Sequence, residues 1–307
     1  MKALITGSEG FVGKYLRQEL TENGYEVVGL CRRGGEGCVA ADLMRPEQAA
    51  QAVEDVRPDL VFHLAGQANV KKSWSEPAMT FETNVLGTLN LLEAVRAYRP
   101  EIPMVIVGSS DQYGALGAAG ADVTEDMALA PGSPYAVSKS AQEQLALLYD
   151  RAYGMSICLT RSFNHAGPGQ KEGYMISDFC AGIARVECGL QDCLTVGNLT
   201  SRRDFTHVRD VVRAYRLLAE KGRHGEIYNI GSGMTHSGQE ILDKLCAMAA
   251  CPIPVRQDPA KMRPSDTPVV CCNHAKLTRD TGWQPAIGLD DMLQETLDDW
   301  RKQIRKG

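Results

Sequence analysis

Tyr135 and Lys139 stand four residues apart in the run Tyr135-Ala-Val-Ser-Lys139. On a helix that spacing puts both side chains on one face. An ammonium beside a phenol favours phenolate, so Lys139 is expected to lower the Tyr135 pKa and let it exchange a proton with a substrate oxygen at neutral pH. A second set of residues opens the chain: Lys2-Ala-Leu-Ile-Thr-Gly7-Ser-Glu-Gly10-Phe-Val-Gly13, a short apolar strand, a glycine-spaced turn and the start of a helix. Gly7 permits the tight turn, Gly10 lets backbone approach a pyrophosphate, and Gly13 lets the helix pack on the sheet. The helix start over Phe11, Val12 and Gly13 then turns free N–H groups toward phosphate. Either motif alone is weak. Together they specify proton and hydride chemistry beside a bound dinucleotide.

The choice of dinucleotide falls at the end of the second strand. An acidic residue there would bind the ribose hydroxyls of NAD. This chain carries Cys31-Arg32-Arg33 instead, and two guanidiniums suit the 2′-phosphate of NADP, with NAD as the alternative. Asp42 and Leu43 are placed to meet the adenine. Leu64, Ala65 and Gly66 follow the next strand and pass beneath the pyrophosphate and ribose. Lys139 can also hold the nicotinamide ribose, which puts Tyr135 and Lys139 in the cofactor site as well as the catalytic one.

These residues need a scaffold, and the apolar pattern supplies one. Strand-like runs at Ala3–Thr6, Val27–Cys31, Leu60–Leu64, Met104–Gly108 and Ser156–Arg161 alternate with helical runs at Lys14–Asn23, Pro46–Asp55, Ala78–Tyr98 and Tyr135–Tyr153. The alternation predicts an α/β fold, a doubly wound parallel sheet of the Rossmann type. After residue 165 the pattern loosens, and Ile227–Gly231 is a late strand able to rejoin the sheet. The expected division is a dinucleotide-binding domain over 1–165, with 204–231 returning to it. A smaller C-terminal α/β substrate-binding domain takes 166–203 and 232–307, with the substrate cleft between them.

Composition excludes several classes. The net charge is −5, with no basic block for nucleic acid. Met1 leads directly into the first strand, and no apolar run approaches membrane-spanning length, so a cytoplasmic enzyme without membrane contact is expected. The ten cysteines show no C-x-x-C spacing. Reduced thiols and no metal site are therefore expected. His63, His165 and His207 read as hydrogen-bonded structural residues, since Tyr135 already carries the proton.

The chain resembles the extended short-chain dehydrogenases/reductases, in their nucleotide-sugar-modifying branch. The carriers are Thr6–Gly13, His63-Leu-Ala-Gly66, Asn84-Val-Leu-Gly-Thr88, Val107-Gly-Ser-Ser-Asp-Gln-Tyr-Gly114, Tyr135–Lys139 and Arg203-Asp-Phe-Thr-His-Val208. Phe163-Asn-His165, Gly197–Phe205 and Arg263-Pro-Ser-Asp266 make it most similar to GDP-4-keto-6-deoxy-mannose reductases and GDP-mannose 4,6-dehydratases. The resemblance implies that Ser109 hydrogen-bonds the sugar oxygen that Tyr135 protonates. Asp111 stands where the dehydrating relatives carry a glutamate base and is one methylene shorter, which favours the reductase. For the nucleotide sugar, a GDP-sugar, it implies contacts from Ser110, Asn164 and the diphosphate-binding Arg203, with Arg263 and Asp266 meeting the nucleotide. Arg202, adjacent on an extended run, would face elsewhere. The resemblance also implies a homodimer, through helices at Ala78–Tyr98 and Ser138–Tyr153. The alternatives are the dehydratase, another nucleotide-sugar epimerase or reductase, and a non-catalytic NADP-sensing regulator.

Overall fold

Leu60-Val-Phe-His63 has no exposed residue, as a strand covered on both faces requires. The structure is a computed structural model that describes residues 1–118, 122–261 and 269–306, without the side chains of 115–118. In chain order the first half runs β1 (Lys2–Thr6), α1 (Phe11–Glu22), β2 (Glu26–Cys31), β3 (Cys38–Ala40), α2 (Pro46–Val56), β4 (Leu60–His63), α3 (Val70–Ser75), α4 (Pro77–Phe81), α5 (Gly87–Tyr98), β5 (Met104–Ser109), β6 (Asp122–Val123), α6 (Pro134–Tyr153) and β7 (Ile157–Ser162). The second half runs β8 (Asn164–Ala166), α7 (Met175–Glu187), β9 (Leu194–Val196), β10 (Arg202–His207), α8 (Val208–Lys221), β11 (Ile227–Ile230), β12 (Thr235–Ser237), α9 (Gly238–Ala247), β13 (Val255–Gln257), β14 (Val269–Cys272), α10 (Ala275–Thr281) and α11 (Leu289–Lys306).

Seven parallel strands form the main sheet in the order β11-β7-β5-β4-β1-β2-β3. The chain moves outward from β1 to β3 and then returns to β4 on the other side of β1. A crevice opens at that reversal, at the C-terminal strand ends. One face buries Leu4, Leu91, Val95, Ile106 and Tyr149 under α2, α5 and α6. The other buries Leu16, Val211 and Tyr215 under α1 and α8, together with Leu277 and Trp283 from and just after α10. A third core joins α7, α9 and α11 through Phe179, Ile183, Leu242, Leu293 and Trp300. It lies beside the small sheet β12-β10-β14-β6, in which β8 also pairs with β10.

The doubly wound parallel sheet is the one the alternation predicts. Two local features differ. The three-residue strand β3 is an edge strand whose Cys38-Val-Ala40 is too short to stand out as an apolar run. The helix expected over Ala78–Tyr98 is interrupted by a π-helical turn at Glu82–Leu86 between α4 and α5. The wider turn accommodates Asn84, whose amide is fully buried in hydrogen bonds to other elements.

Candidate active site

The glycine turn expected to cradle a cofactor is defined by missing side chains. Gly7 has φ +73°, and a Cβ there would lie 2.8 Å from the Ala65 nitrogen. At Gly13 a Cβ would come within 2.4 Å of the Gly7 oxygen and 2.8 Å of the Ser8 backbone. These are backbone contacts that cannot yield. Helix α1 starts at Phe11, and Gly10 gives it no side-chain cap. The first N–H groups are therefore left for a ligand, the arrangement that binds phosphate. Phe11 lies flat on the His165 ring, with centroids 6.4 Å apart, and Val12 packs against the core beneath α1. At the far end Arg32 and Arg33 are exposed just beyond β2. Asp42 accepts from the Met44 amide in a tight turn, and Leu43 is buried, its carbonyl held by Asn90. Leu64 and Ala65 hydrogen-bond back to Thr6, and Gly66 is exposed at the crevice. A Cβ on Gly66 would meet Asn84 Oδ1 at 2.9 Å and lie 3.7 Å from Lys139 Nζ, so this loop touches the catalytic helix.

Helix α6 begins at Ser133, which caps the Ala136 amide, and Pro134 occupies the first turn. Its inner face carries Tyr135 and Lys139, both buried. Ser109, at the end of β5, is buried as well, and its hydroxyl is near enough to the Tyr135 phenol to lower its pKa. Ser110 follows, also buried, and Asp111 is exposed at the mouth with its amide donating to Ser109 Oγ.

Lys139 does not lower the Tyr135 pKa as expected. The phenol is held well above its ordinary value, chiefly by burial and then by the nearby Asp111 carboxylate, and the Ser109 hydroxyl only partly offsets this. The Lys139 ammonium is turned instead to the Val107 carbonyl at 2.7 Å and Gln142 Oε1 at 2.8 Å. Burial pushes its own pKa down to about 8.

Behind this pair runs a buried chain of hydrogen bonds through His63, which is structural as its sequence context implies, to Thr88 and Gln142. Thr6 Oγ1 contacts His63 Nδ1 at 2.7 Å, His63 Nε2 contacts Thr88 Oγ1 at 2.8 Å, and Gln142 donates to Thr88 at 2.9 Å. Burial, and then the Lys139 charge, hold the His63 pKa down near 3, so its ring is neutral and structural. Asn84 ties the Gln67 backbone to Ser138 Oγ on α6. Tyr174, just before α7 and 42 % exposed, is near enough to Tyr135 for a phenolate there to raise the Tyr135 pKa. Of these, Thr6, His63, Asn84, Thr88, Ser138 and Lys139 fall in quoted motifs; Gln67, Gln142 and Tyr174 do not.

The small sheet supplies the other wall. Asn164 is exposed on β8, opposite Phe205. Arg203 is half-buried on β10, with one guanidinium N–H donating to the Arg202 carbonyl. Arg202 points away from it into a two-pronged pair with Glu240, at 2.7 and 3.1 Å. Arg263 and Asp266 lie outside the described residues.

The family model for GDP-mannose 4,6 dehydratase matches residues 4–296. A GDP-6-deoxy-D-mannose reductase from Pseudomonas aeruginosa is 36% identical over 308 residues, covering 99% of each chain. A GDP-mannose 4,6-dehydratase from Yersinia enterocolitica is 28% identical over 346 residues, with 96% of this chain and 92% of that protein covered. Among solved structures, RMD from Pseudomonas aeruginosa complexed with NADPH superposes with TM-score 0.90 at 35% identity, over 98% of this chain and 99% of that one. A Thermus thermophilus UDP-glucose 4-epimerase in complex with NAD gives 0.87 at 31%, over 98% and 99%.

Proposed function

We infer the function from the premise that the chain belongs to the GDP-mannose 4,6-dehydratase family: it reduces the 4-keto group of GDP-4-keto-6-deoxy-D-mannose with NADPH, giving GDP-D-rhamnose. One observation carries reductase over dehydratase. The Pseudomonas reductase aligns end to end in 308 residues at 36%, whereas the Yersinia dehydratase needs 346 residues to reach 28%. The short Asp111 side chain, out at the mouth of the cleft, supports the same reading.

The turn suits the cofactor because its tight packing at Gly7 and Gly13 holds the start of α1 against β1, and the first amides of α1 carry no side-chain cap. Gly7, Gly10, Phe11, Val12 and Gly13 would hold the pyrophosphate. Arg32 and Arg33 would hold a 2′-phosphate, Asp42 and Leu43 the adenine, and Leu64, Ala65, Gly66 and Lys139 the ribose side. NADPH, when bound, supplies the hydride. The chain's own work is at the oxygen. Ser109 and Tyr135 are both buried, with the Ser109 hydroxyl close enough to influence the titration of Tyr135, so both hydroxyls can meet the C4 oxygen and hold its plane. As negative charge develops there, Tyr135 gives up its proton and Ser109 keeps a hydrogen bond to the oxygen. A phenol with a raised pKa is protonated at neutral pH, which suits an acid. Lys139 holds positive charge behind it below pH about 8. Ser110, Asn164 and Arg203 line the side where the sugar diphosphate would lie, and the resemblance adds Arg263 and Asp266 for the nucleotide.

The enzyme is a homodimer in this reading, paired through α4, α5 and α6. Leu86, Val137 and Leu148 leave an apolar strip on that side, at 46, 40 and 51 % exposed. Ten free cysteines fit a reducing cytoplasm. Among the described residues no helix is long and apolar enough to cross a membrane.

The test is NADPH absorbance with purified protein, offered GDP-mannose or freshly made GDP-4-keto-6-deoxy-D-mannose. Oxidation with the keto sugar alone is the expected result. Consumption of GDP-mannose without net loss of NADPH would replace this reading with the dehydratase, with Asp111 as base.

A further inference from the structure

We propose that Gln112 is a positioning residue for the reduction: it clamps the backbone of Ser109 to the helix that carries Tyr135, so the two hydroxyls that meet the substrate oxygen keep one fixed spacing. The inference rests on the reductase reading for its catalytic half.

Gln112 is fully buried, so both ends of its amide need partners. Its Oε1 accepts from the Ser109 N–H at 2.9 Å, and its Nε2 donates to Glu143 Oε2 at 2.9 Å. Glu143 lies eight residues after Tyr135 and four after Lys139, on the same buried face of α6. It is fixed in turn by Arg161 of β7, which donates to both carboxylate oxygens at 2.8 and 2.7 Å. Arg161 also donates to the Tyr113 hydroxyl at 2.9 Å, and in the sheet it lies opposite Gly108. Gly108 leaves the room that Gln112 needs, since a Cβ there would sit 2.8 Å from Gln112 Oε1.

The bridge therefore runs from β5 through Gln112 to α6 and on to β7. Glu143 and Arg161 satisfy each other without Gln112. Gln112 is the member of this bridge that reaches the backbone of a reacting residue. Remove its amide and the fold keeps its ion pair, but Ser109 loses the bond that sets it against Tyr135.

Three variants test this. Gln112→Met fills similar volume with no donor or strong acceptor. Its kcat is expected to fall about 10–100-fold, as loss of a charge-assisted buried hydrogen bond allows, with the KM for NADPH within about twofold of wild type. If Gln112 acts through Ser109, the same substitution made on Ser109→Ala costs less than about threefold, a strong departure from additivity. Multiplicative losses overturn the proposal.

Gln112→Glu places a second carboxyl against Glu143, with Arg161 on β7 and Asp111 and Tyr113 on its own segment as the neighbouring ionisable groups. Two touching carboxylates share one proton. With that proton present the side chain again accepts from Ser109 and donates to Glu143. Activity should approach wild type in acid and fall as the pH rises, on a limb that Gln112→Met lacks. Identical profiles for the two variants overturn the proposal. Amide hydrogen exchange at Ser109 in Gln112→Met judges the clamp without any substrate: exchange at Ser109 faster than the variant's global loss of stability accounts for supports it, and unchanged exchange refutes it. Absence of turnover in the wild type would refute the reductase reading and leave the exchange result to decide the clamp.

Discussion

The two sides of the cleft are built on opposite principles. On the cofactor side the decisive fact is the lack of a Cβ at Gly7 and Gly13, where backbone closes to within 2.8 and 2.4 Å of where one would stand. On the catalytic side the decisive fact is a set of buried polar groups that satisfy one another, from Thr6 through His63 and Thr88 to Gln142 and Lys139, and from Ser109 through Gln112 and Glu143 to Arg161. A steric cradle fails when anything is added to it. A hydrogen-bonded network fails when something is taken away. Binding and chemistry should therefore separate under mutation.

Tyr135→Phe gives the largest expected effect. It removes the proposed proton donor and little volume, so kcat should fall about 10³-fold, within the range for loss of general acid catalysis. The Kd for NADPH, followed by its fluorescence, should stay within about twofold. A comparable loss of affinity would mean that the two sides are one unit. The converse experiment is Gly13→Val, which drives a side chain into the Gly7 carbonyl. Overpacking of about 1–3 kcal/mol corresponds to roughly 10–100-fold weaker NADPH binding, with kcat at saturating cofactor largely kept. A variant that binds normally but turns over slowly would reverse the assignment of roles.

A smaller effect is expected at the rim. Arg32 and Arg33 are exposed, so each ion pair with a phosphate is screened by water. Replacing both by alanine should weaken NADPH about tenfold and leave NADH unchanged, since the two cofactors differ only in the 2′-phosphate. Equal losses for both would show that the guanidiniums lie elsewhere on the cofactor.

The same contrast decides what could be read in advance. A glycine turn is legible because its requirement is local: three positions within seven residues, between a strand and a helix. The Tyr135–Lys139 pair is legible for a similar reason, four residues on one helix. The π-helical turn at Glu82–Leu86 was not, because nothing local interrupts that run; the buried partners of Asn84 come from Gln67 and Ser138. The Tyr135 pKa was misjudged because spacing does not report burial, and burial dominates it. Gln112, Glu143 and Arg161 come together from three elements. Gln112 sits in a quoted motif and Arg161 ends a quoted strand run, while Glu143 is in step with Tyr135 and Lys139 on a face that continues to Ala146, but nothing local joins the three. On the substrate side Arg203 was legible by motif, while Arg263 and Asp266 lie outside the described residues.

The last expected effect concerns protons, and it too should divide the two sides. Burial shifts both nitrogens of the catalytic side downward, Lys139 to about 8 and His63 to about 3. For His63 the sign follows from linkage. The folded ring stays neutral well below the pH at which the unfolded chain takes up its proton, near 6.5. As pH falls below about 6.5 the unfolded state binds the extra proton, and stability drops by up to about 1.4 kcal/mol per pH unit toward the folded pKa. His63→Gln keeps a polar side chain there but has no such proton. Urea midpoints at pH 7, 6 and 5 should therefore converge for wild type and variant as the pH falls, because only the wild type carries this loss. Parallel midpoints would mean that the folded His63 ring takes up its proton at the same pH as the unfolded chain, and the relay to Thr88 and Lys139 would have to be redrawn with an added charge below about pH 6.5. Gly13→Val changes no ionisable group, so its deficit should hold constant across the same pH range; a pH-dependent deficit there would couple the cradle to the network that this comparison keeps apart.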